Sequence, residues 1–445
     1  MKILFIRPGL VMGKAHDALE PLVFAVLKGL TPPDVECRLF DERIEDVPLD
    51  EEVDLVALTV ETYTARRAYQ IAAAYRKRQV PVVMGGVHAT LASEEASRHA
   101  DALALGDAED TWPQIVEDAR VGALKARYES HFPALDGLVM DRSIFAGKRY
   151  AAAPLVQFAR GCRWNCDFCS IRAFYGRLVR HRPASEVARE VSALDKKYFF
   201  FTDDNLFVDR QSALELFEAL EPSGKLWGTQ VSLDIAQDEY LLERMARAGC
   251  KTLLIGFESL VPENLKQMRK SWHGKLQDYE KLIERIRSKG MTVWGSFVFG
   301  YDHDTAETIR EALEFSIRSK MFLANFNSLA PTPGTPLYQR LKAEGRLHCD
   351  PWWLHPDFRY GRSMFQPARL SAEDLEAGCF GARRAFNAYN SIGRRMCDFR
   401  ANLSTVGNGL LFVMANLGAR REIHRKQGLP LGDPEGPVIP WEDCD

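Results

Sequence analysis

Short apolar runs alternate with amphipathic stretches through the first 120 residues, at 2–7, 35–40, 54–60, 80–84 and 102–105. Runs of this length, bounded by Gly, Pro and Asp, predict buried strands, and the 3.6-period segments at 22–29, 64–78 and from 93 predict helices between them. This alternation predicts a doubly wound, Rossmann-like α/β domain over residues 1–120. Residues 121–153 break the rhythm and read as a linker. It restarts at 154, with strands at 155–158, 198–202, 226–232, 252–255, 292–299 and 324–330. The intervening helices, at 184–196, 210–221, 237–248, 275–289 and 305–319, complete a partial (β/α)6 barrel over 154–340. From 341 to 445 the pattern becomes mainly helical: aromatics such as Trp352 and Trp353 lead into a helix at 371–390, N-capped by Ser371. The polar stretch after Gln427 reads as loosely ordered.

Ligands of doubly wound sheets bind outside the carboxyl ends of the strands, and parallel barrels carry their chemistry at the same ends. Gly85-Gly86 ends the fourth strand, where missing side chains admit a large flat ligand. The net charge of −3 argues against nucleic acid or an anionic membrane as an obligatory partner. The most apolar late stretch, 408–417, falls short of a membrane span. Nine cysteines without an evident pairing scheme point to a reducing, cytoplasmic setting.

Cys162, Cys166 and Cys169 follow the first barrel strand in the spacing C-x3-C-x2-C. A [4Fe–4S] cluster takes four thiolates, so three local ligands leave one iron open for chemistry. Cys250, after Ala248-Gly249, reads as the end of a helix before a strand and is a poor fourth ligand. Zinc favours four closed ligands, commonly as paired C-x2-C elements, and the sequence has no second pair.

The spacing, with Phe168 just before the third cysteine, resembles the signature of the radical S-adenosylmethionine (SAM) superfamily. The resemblance implies that SAM chelates the open iron. One electron from the cluster then splits a carbon–sulfur bond of SAM, usually yielding a 5′-deoxyadenosyl radical. It implies an electron donor such as flavodoxin or ferredoxin and a small-molecule substrate. Further site residues are carried over position by position. Asp203 and Asp204 would accept from the SAM ammonium, the alternative being a cap or loop role. Glu258 would take the ribose hydroxyls, against a core-edge salt bridge. Arg269 or Lys270 would hold the SAM carboxylate, with Gln230 and Ser232 nearby, and Phe299-Gly300 would border adenine.

The first domain resembles the cobalamin-binding domain of one radical SAM subclass, through Glu20-Pro21-Leu22, the stretch 83–90 and Leu105-Gly106-Asp107-Ala108-Glu109. The D-x-H-x-x-G pattern of a cobalt-ligating histidine is absent, since Arg43 stands where histidine would fall. Gly85, Gly86 and His88 are the corrin-facing candidates; a domain serving as scaffold alone is the other reading.

The first functional expectation is cobalamin-dependent methyl transfer. The second is cobalamin-independent transfer of the 3-amino-3-carboxypropyl group of SAM, of the arsinothricin type. There, Cys349, Cys379 and Cys397 would be soft ligands for arsenite, although buried structural thiols are commoner. The third is an iron–sulfur or cobalamin-binding sensor, for which polar strand ends have no use. Full G-x-G-x-x-G, G-x-S-x-G and H-E-x-x-H patterns are missing, so nicotinamide, hydrolase and zinc-protease readings have no support.

Overall fold

Aliphatic and aromatic runs form two six-stranded parallel sheets, joined side by side in a computed structural model. It describes residues 1–440 apart from 11–13, 16–17, 208, 275–277 and 438; part of the helix expected at 275–289 lies outside the described residues. The first sheet contains β1 (Lys2–Arg7), β2 (Glu36–Asp41), β3 (Leu55–Thr59), β4 (Val82–Gly85), β5 (Ala102–Leu105) and β6 (Arg127–Glu129), in the order β2-β1-β3-β4-β5-β6. β6 lies within the stretch read as linker: three residues with one buried side chain, Tyr128, leave too little pattern to detect. The chain reverses direction across the sheet between β1 and β3, and a doubly wound fold opens its ligand crevice at such a point.

The second sheet, β7 (Leu155–Val156), β10 (Tyr198–Phe201), β11 (Leu226–Val231), β12 (Cys250–Glu258), β13 (Thr292–Phe299) and β14 (Leu323–Ser328), curls into an open partial barrel in that order. A small antiparallel pair, β8 (Ala159–Arg160) and β9 (Arg180–His181), brackets the cysteine loop. Alternation along β13 decides which side chains face inward. Val293, Phe297 and Phe299 are buried under the outer helices, where Phe297 packs against Phe315. Trp294, Ser296 and Val298, only half-buried, occupy the opposite, inner face.

The segment after the barrel folds back across the first domain. Trp352, Trp353, Leu354, Phe358 and Met364 share one core with Ala68, Tyr69 and Ile71 of the helix Ala65–Lys77. Helices Ala372–Phe386, Tyr389–Met396 and Val406–Lys426 cover the β14 edge, held by a fully buried Arg395 that donates to the carbonyls of Met321, Phe322 and Phe386. The stretch after Gln427, expected to be loose, is tied down around Leu431 and Asp433, while residues 441–445 lie outside the described residues. Gln70 Nε2 donates to the Asp433 carbonyl at 2.7 Å, the Asp433 amide donates to Gln70 Oε1 at 2.8 Å, and Leu431 is fully buried.

Candidate active site

The cysteine loop turns out of β8 through Gly161, at φ +90°. A side chain there would clash with the Leu178 carbonyl oxygen, so the approach to Cys162 requires glycine. Asp167 anchors the loop at three points. Its Oδ1 accepts the Tyr301 hydroxyl at 2.6 Å, its amide donates to the Met268 carbonyl at 3.1 Å, and its carbonyl accepts the Leu337 amide at 3.1 Å. Asn205 Nδ2 reaches Cys162 Sγ at 3.9 Å and Ser232 Oγ at 3.2 Å. Burial pushes the Cys166 thiol up to about 12 and the Cys169 thiol up to about 11. Binding a metal cluster here must therefore displace thiol protons.

Several expected SAM contacts lie on the rim of this loop. Glu258, at φ +64° on the end of β12, pairs through Oε1 with Lys270 Nζ at 2.9 Å, and Lys270 also donates to the Gly256 carbonyl at 2.6 Å. Both side chains are largely shielded, which strengthens their attraction. Arg269, its neighbour, is exposed. Ser232 Oγ accepts the Trp164 indole N–H at 3.2 Å, and Gln230 Nε2 donates to the Asp204 carbonyl at 3.2 Å. Asp204 accepts the Gly161 amide at 2.8 Å.

Asp203 is not available to a ligand as expected. Its buried carboxylate accepts the Phe158 amide at 3.1 Å and, in a shorter bond, the Ala159 amide, fixing the strand end that launches the cysteine loop. Burial pushes its carboxyl up to about 8 despite those two amides. Asp203→Asn should cost about 1–3 kcal/mol, because the amide nitrogen that replaces one oxygen brings N–H donors into a buried site where the Phe158 and Ala159 amides already donate. We expect a lower melting temperature and reduced iron content, with unchanged SAM affinity in the loaded fraction; weakened SAM binding at full iron content would restore the ligand role. Phe299 and Gly300 also depart from expectation. Phe299 points to the helix side, stacked on Phe326, and Gly300 abuts Phe365 and Leu375.

Between the two sheets lies a cleft of about 400 Å³. Arg7, Thr59, Gly85, Gly86 and Gly106 line it from the carboxyl ends of the first sheet, and Gln157, Arg160, Thr202 and Asp204 from the barrel. Gly86, at φ +97°, would bring a Cβ within 3.0 Å of Thr59 and Val60, so its bare surface is enforced by the fold. His88 does not face this cleft. It is fully buried, with Nε2 3.1 Å from the Tyr69 hydroxyl and Nδ1 3.3 Å from Thr62 Oγ1, edge-on to Trp353. Arg43 is likewise turned away, bound by both oxygens of Asp41.

The domains meet through charges that sequence reasoning missed. Arg160, two residues before Cys162, reaches Asp107 Oδ2 at 2.9 Å and Glu109 Oε1 at 2.6 Å, all three largely shielded from solvent. Burial opposes the Arg160 charge, but Glu109 and Asp107 outweigh it and hold the guanidinium protonated. Tyr175 and Arg180 also bind Asp107.

Residues 156–316 match the Radical SAM superfamily, and residues 25–116 match the B12 binding domain. The chain is 31% identical to the bacteriochlorophyllide d C-8(2)-methyltransferase of Chlorobaculum tepidum over 74% of this chain and 78% of that protein. It is 30% identical to the bacteriochlorophyllide d C-12(1)-methyltransferase of the same organism, over 84% of each. The chain belongs to the radical SAM superfamily. It is a radical SAM enzyme with an N-terminal B12-binding domain, and its cofactors are the [4Fe–4S] cluster, SAM and cobalamin. Its fold matches that of TsrM from Kitasatospora setae, a radical SAM methyltransferase solved with cobalamin and a [4Fe–4S] cluster bound: TM-score 0.62, 17% identity, 85% of this chain and 81% of that one.

The cleft has room for the flat face of a corrin, since Gly85, Gly86 and Gly106 leave one side of it without side chains. A thiolate arsenite site is not assembled. Cys379 is buried in the barrel core, Cys397 is exposed at the end of the helix Tyr389–Met396, and Cys349 is engaged in a disulfide.

Proposed function

We propose that this radical SAM enzyme transfers a methyl group to an unactivated carbon of a small, flat, apolar substrate. The observation that carries the reading is the shared cleft. The glycine floor of the B12-binding domain and the mouth of the cluster loop open into one space. When bound, the cluster and SAM supply one-electron cleavage of a carbon–sulfur bond, and cobalamin supplies the methyl group.

The chain's own residues orient these parts. Cys162, Cys166 and Cys169 hold the cluster, and Glu258 and Lys270 offer an anion and a cation to the polar ends of SAM. Asn205 and Ser232 steady the loop beside Cys162. Gly85, Gly86 and Gly106 would leave room for the flat face of the corrin. Ile171 and Phe174 form an apolar wall that keeps water from the reacting atoms. Methylation of bacteriochlorophyllide by the two Chlorobaculum relatives supports a conjugated macrocycle as the substrate class. A flavodoxin- or ferredoxin-type donor in the cytoplasm fits a cluster that needs electrons and shelter from oxygen.

Anaerobic turnover with reconstituted cluster, cobalamin, reductant and SAM tests the reading. We expect S-adenosylhomocysteine together with 5′-deoxyadenosine as the SAM products. Methylthioadenosine as the sole product would overturn methyl transfer.

A further inference from the structure

The long helix Val406–Lys426 is apolar on two sides. Its inner side packs Phe412 against Phe322 and buries Asn416. Its outer side carries Val406, Leu410, Met414 and Leu417, spaced to fall on one helical face. They are 81%, 62%, 71% and 36% exposed. With Tyr389, Phe399 and Leu411 nearby, this region holds seven of the thirteen exposed large hydrophobic side chains among the described residues. Apolar surface concentrated in this way marks a contact site.

The same face continues into Arg421 and His424, both exposed. His424 also lines a cavity of about 450 Å³ with Arg384, Arg420 and Asn387 and with no carboxylate among its lining residues. Residues 381–426 contain nine Lys and Arg against two Asp and Glu, in a chain whose net charge is −3. Arg395 is buried and Arg400 pairs with Glu284, but Arg384, Arg394 and Arg421 reach solvent. No helix among the described residues is long and apolar enough to cross a membrane.

We propose that this face docks the enzyme on an anionic lipid surface, with the stripe Val406–Leu410–Met414–Leu417 dipping into the acyl boundary and the basic cavity taking lipid phosphate. An apolar stripe alone would suit any greasy partner. The cationic cavity at its end selects one that presents apolar chains and anionic groups together, which a bilayer surface does. Arginines at the rim bury their stems while their heads stay with the phosphates.

Vesicle flotation of the full-length enzyme tests this with phosphatidylglycerol–phosphatidylcholine vesicles against phosphatidylcholine alone. The mixed vesicles should bind at least about tenfold more protein, and added salt should weaken binding. Leu410→Asp/Met414→Asp and Arg384→Glu/Arg421→Glu should each abolish flotation, while far-UV circular dichroism and SAM cleavage stay unchanged. Equal binding to both vesicle types, or flotation that survives either variant, overturns the proposal. So does a wild-type dimer that the Leu410/Met414 variant dissolves without any vesicle binding, because a second copy would then cover the stripe. Binding to soluble polyglutamate in the absence of flotation overturns it as well, assigning the face to an acidic protein.

Discussion

Cys166→Ser should leave a folded protein that retains no [4Fe–4S] cluster and cleaves SAM only at background. Two thiolates cannot hold a cluster that already lacks its fourth, and a serine hydroxyl is a poor ligand for iron beside soft sulfide. Iron and sulfide analysis, with the visible spectrum after anaerobic reconstitution, checks the first part, and chromatography of SAM products the second. The loop should survive the change, because Asp167 holds it through Tyr301, Met268 and Leu337 independently of the thiols. The wild-type thiols add a pH dependence. A folded-state value raised by burial means that the metal-free protein keeps its full thiol-linked stability below the unfolded value, about 8.5. It loses that stability as pH rises toward about 11 for Cys169 and about 12 for Cys166. Cluster uptake releases the same protons, so reconstitution yield should fall as pH is lowered from 8.5 toward 7 in wild type. Retention of a full cluster by Cys166→Ser would remove the basis for the open iron.

The strand–helix rhythm carries both sheets: β1 and β3 are buried on both faces and nearly all apolar, and the barrel strand β13 keeps its apolar side chains in alternation. The cysteine loop is equally legible, its ligands being local. What escaped sequence reading depends on direction or distance. Asp203 and Asp204 are adjacent, yet one caps the end of a strand and the other the turn into Cys162, as a side chain's orientation decides. His88 looked like a loop residue beside two glycines, but it opens a short helix whose inner face meets Tyr69 and Glu95. Glu95 gave no usable signal, since it lies on the next short helix, Ser93–Ala96, beyond the break at Ala92. Phe299 shares the parity of Phe297 and so had to point away from the ligand side. Net charge concealed the basic C-terminal face, because an average over 445 residues erases a local excess. Asp107 and Glu109 gave no local hint of their partner, which lies more than fifty residues away.

That distant pairing leads to the second large effect. Arg160→Met should uncouple SAM cleavage from product formation. Arg160 is the residue through which the B12-binding domain grips the strand feeding Cys162. Asp107 would keep Arg180 and Tyr175, but Glu109 would be left without its guanidinium in a shielded site where its second oxygen already lacks a hydrogen-bond partner. Removing one member of a buried pair costs about 3–5 kcal/mol, far more than the pair itself contributes, because the remaining charge is uncompensated. The domains should respond by loosening at the cleft, and a misplacement of about 1 Å between reacting groups lowers a rate about 100-fold. We therefore expect 5′-deoxyadenosine to keep forming while methylated product falls by about two orders of magnitude. The melting temperature should drop in parallel. Adding Glu109→Gln removes the stranded charge, so the double variant should recover about 1–3 kcal/mol of stability without recovering coupling. Recovered stability separates the electrostatic cost from the positioning role: if product formation returned along with it, Arg160 would be only a counter-ion, and the alignment of the cluster with the corrin cleft would have to rest on other contacts.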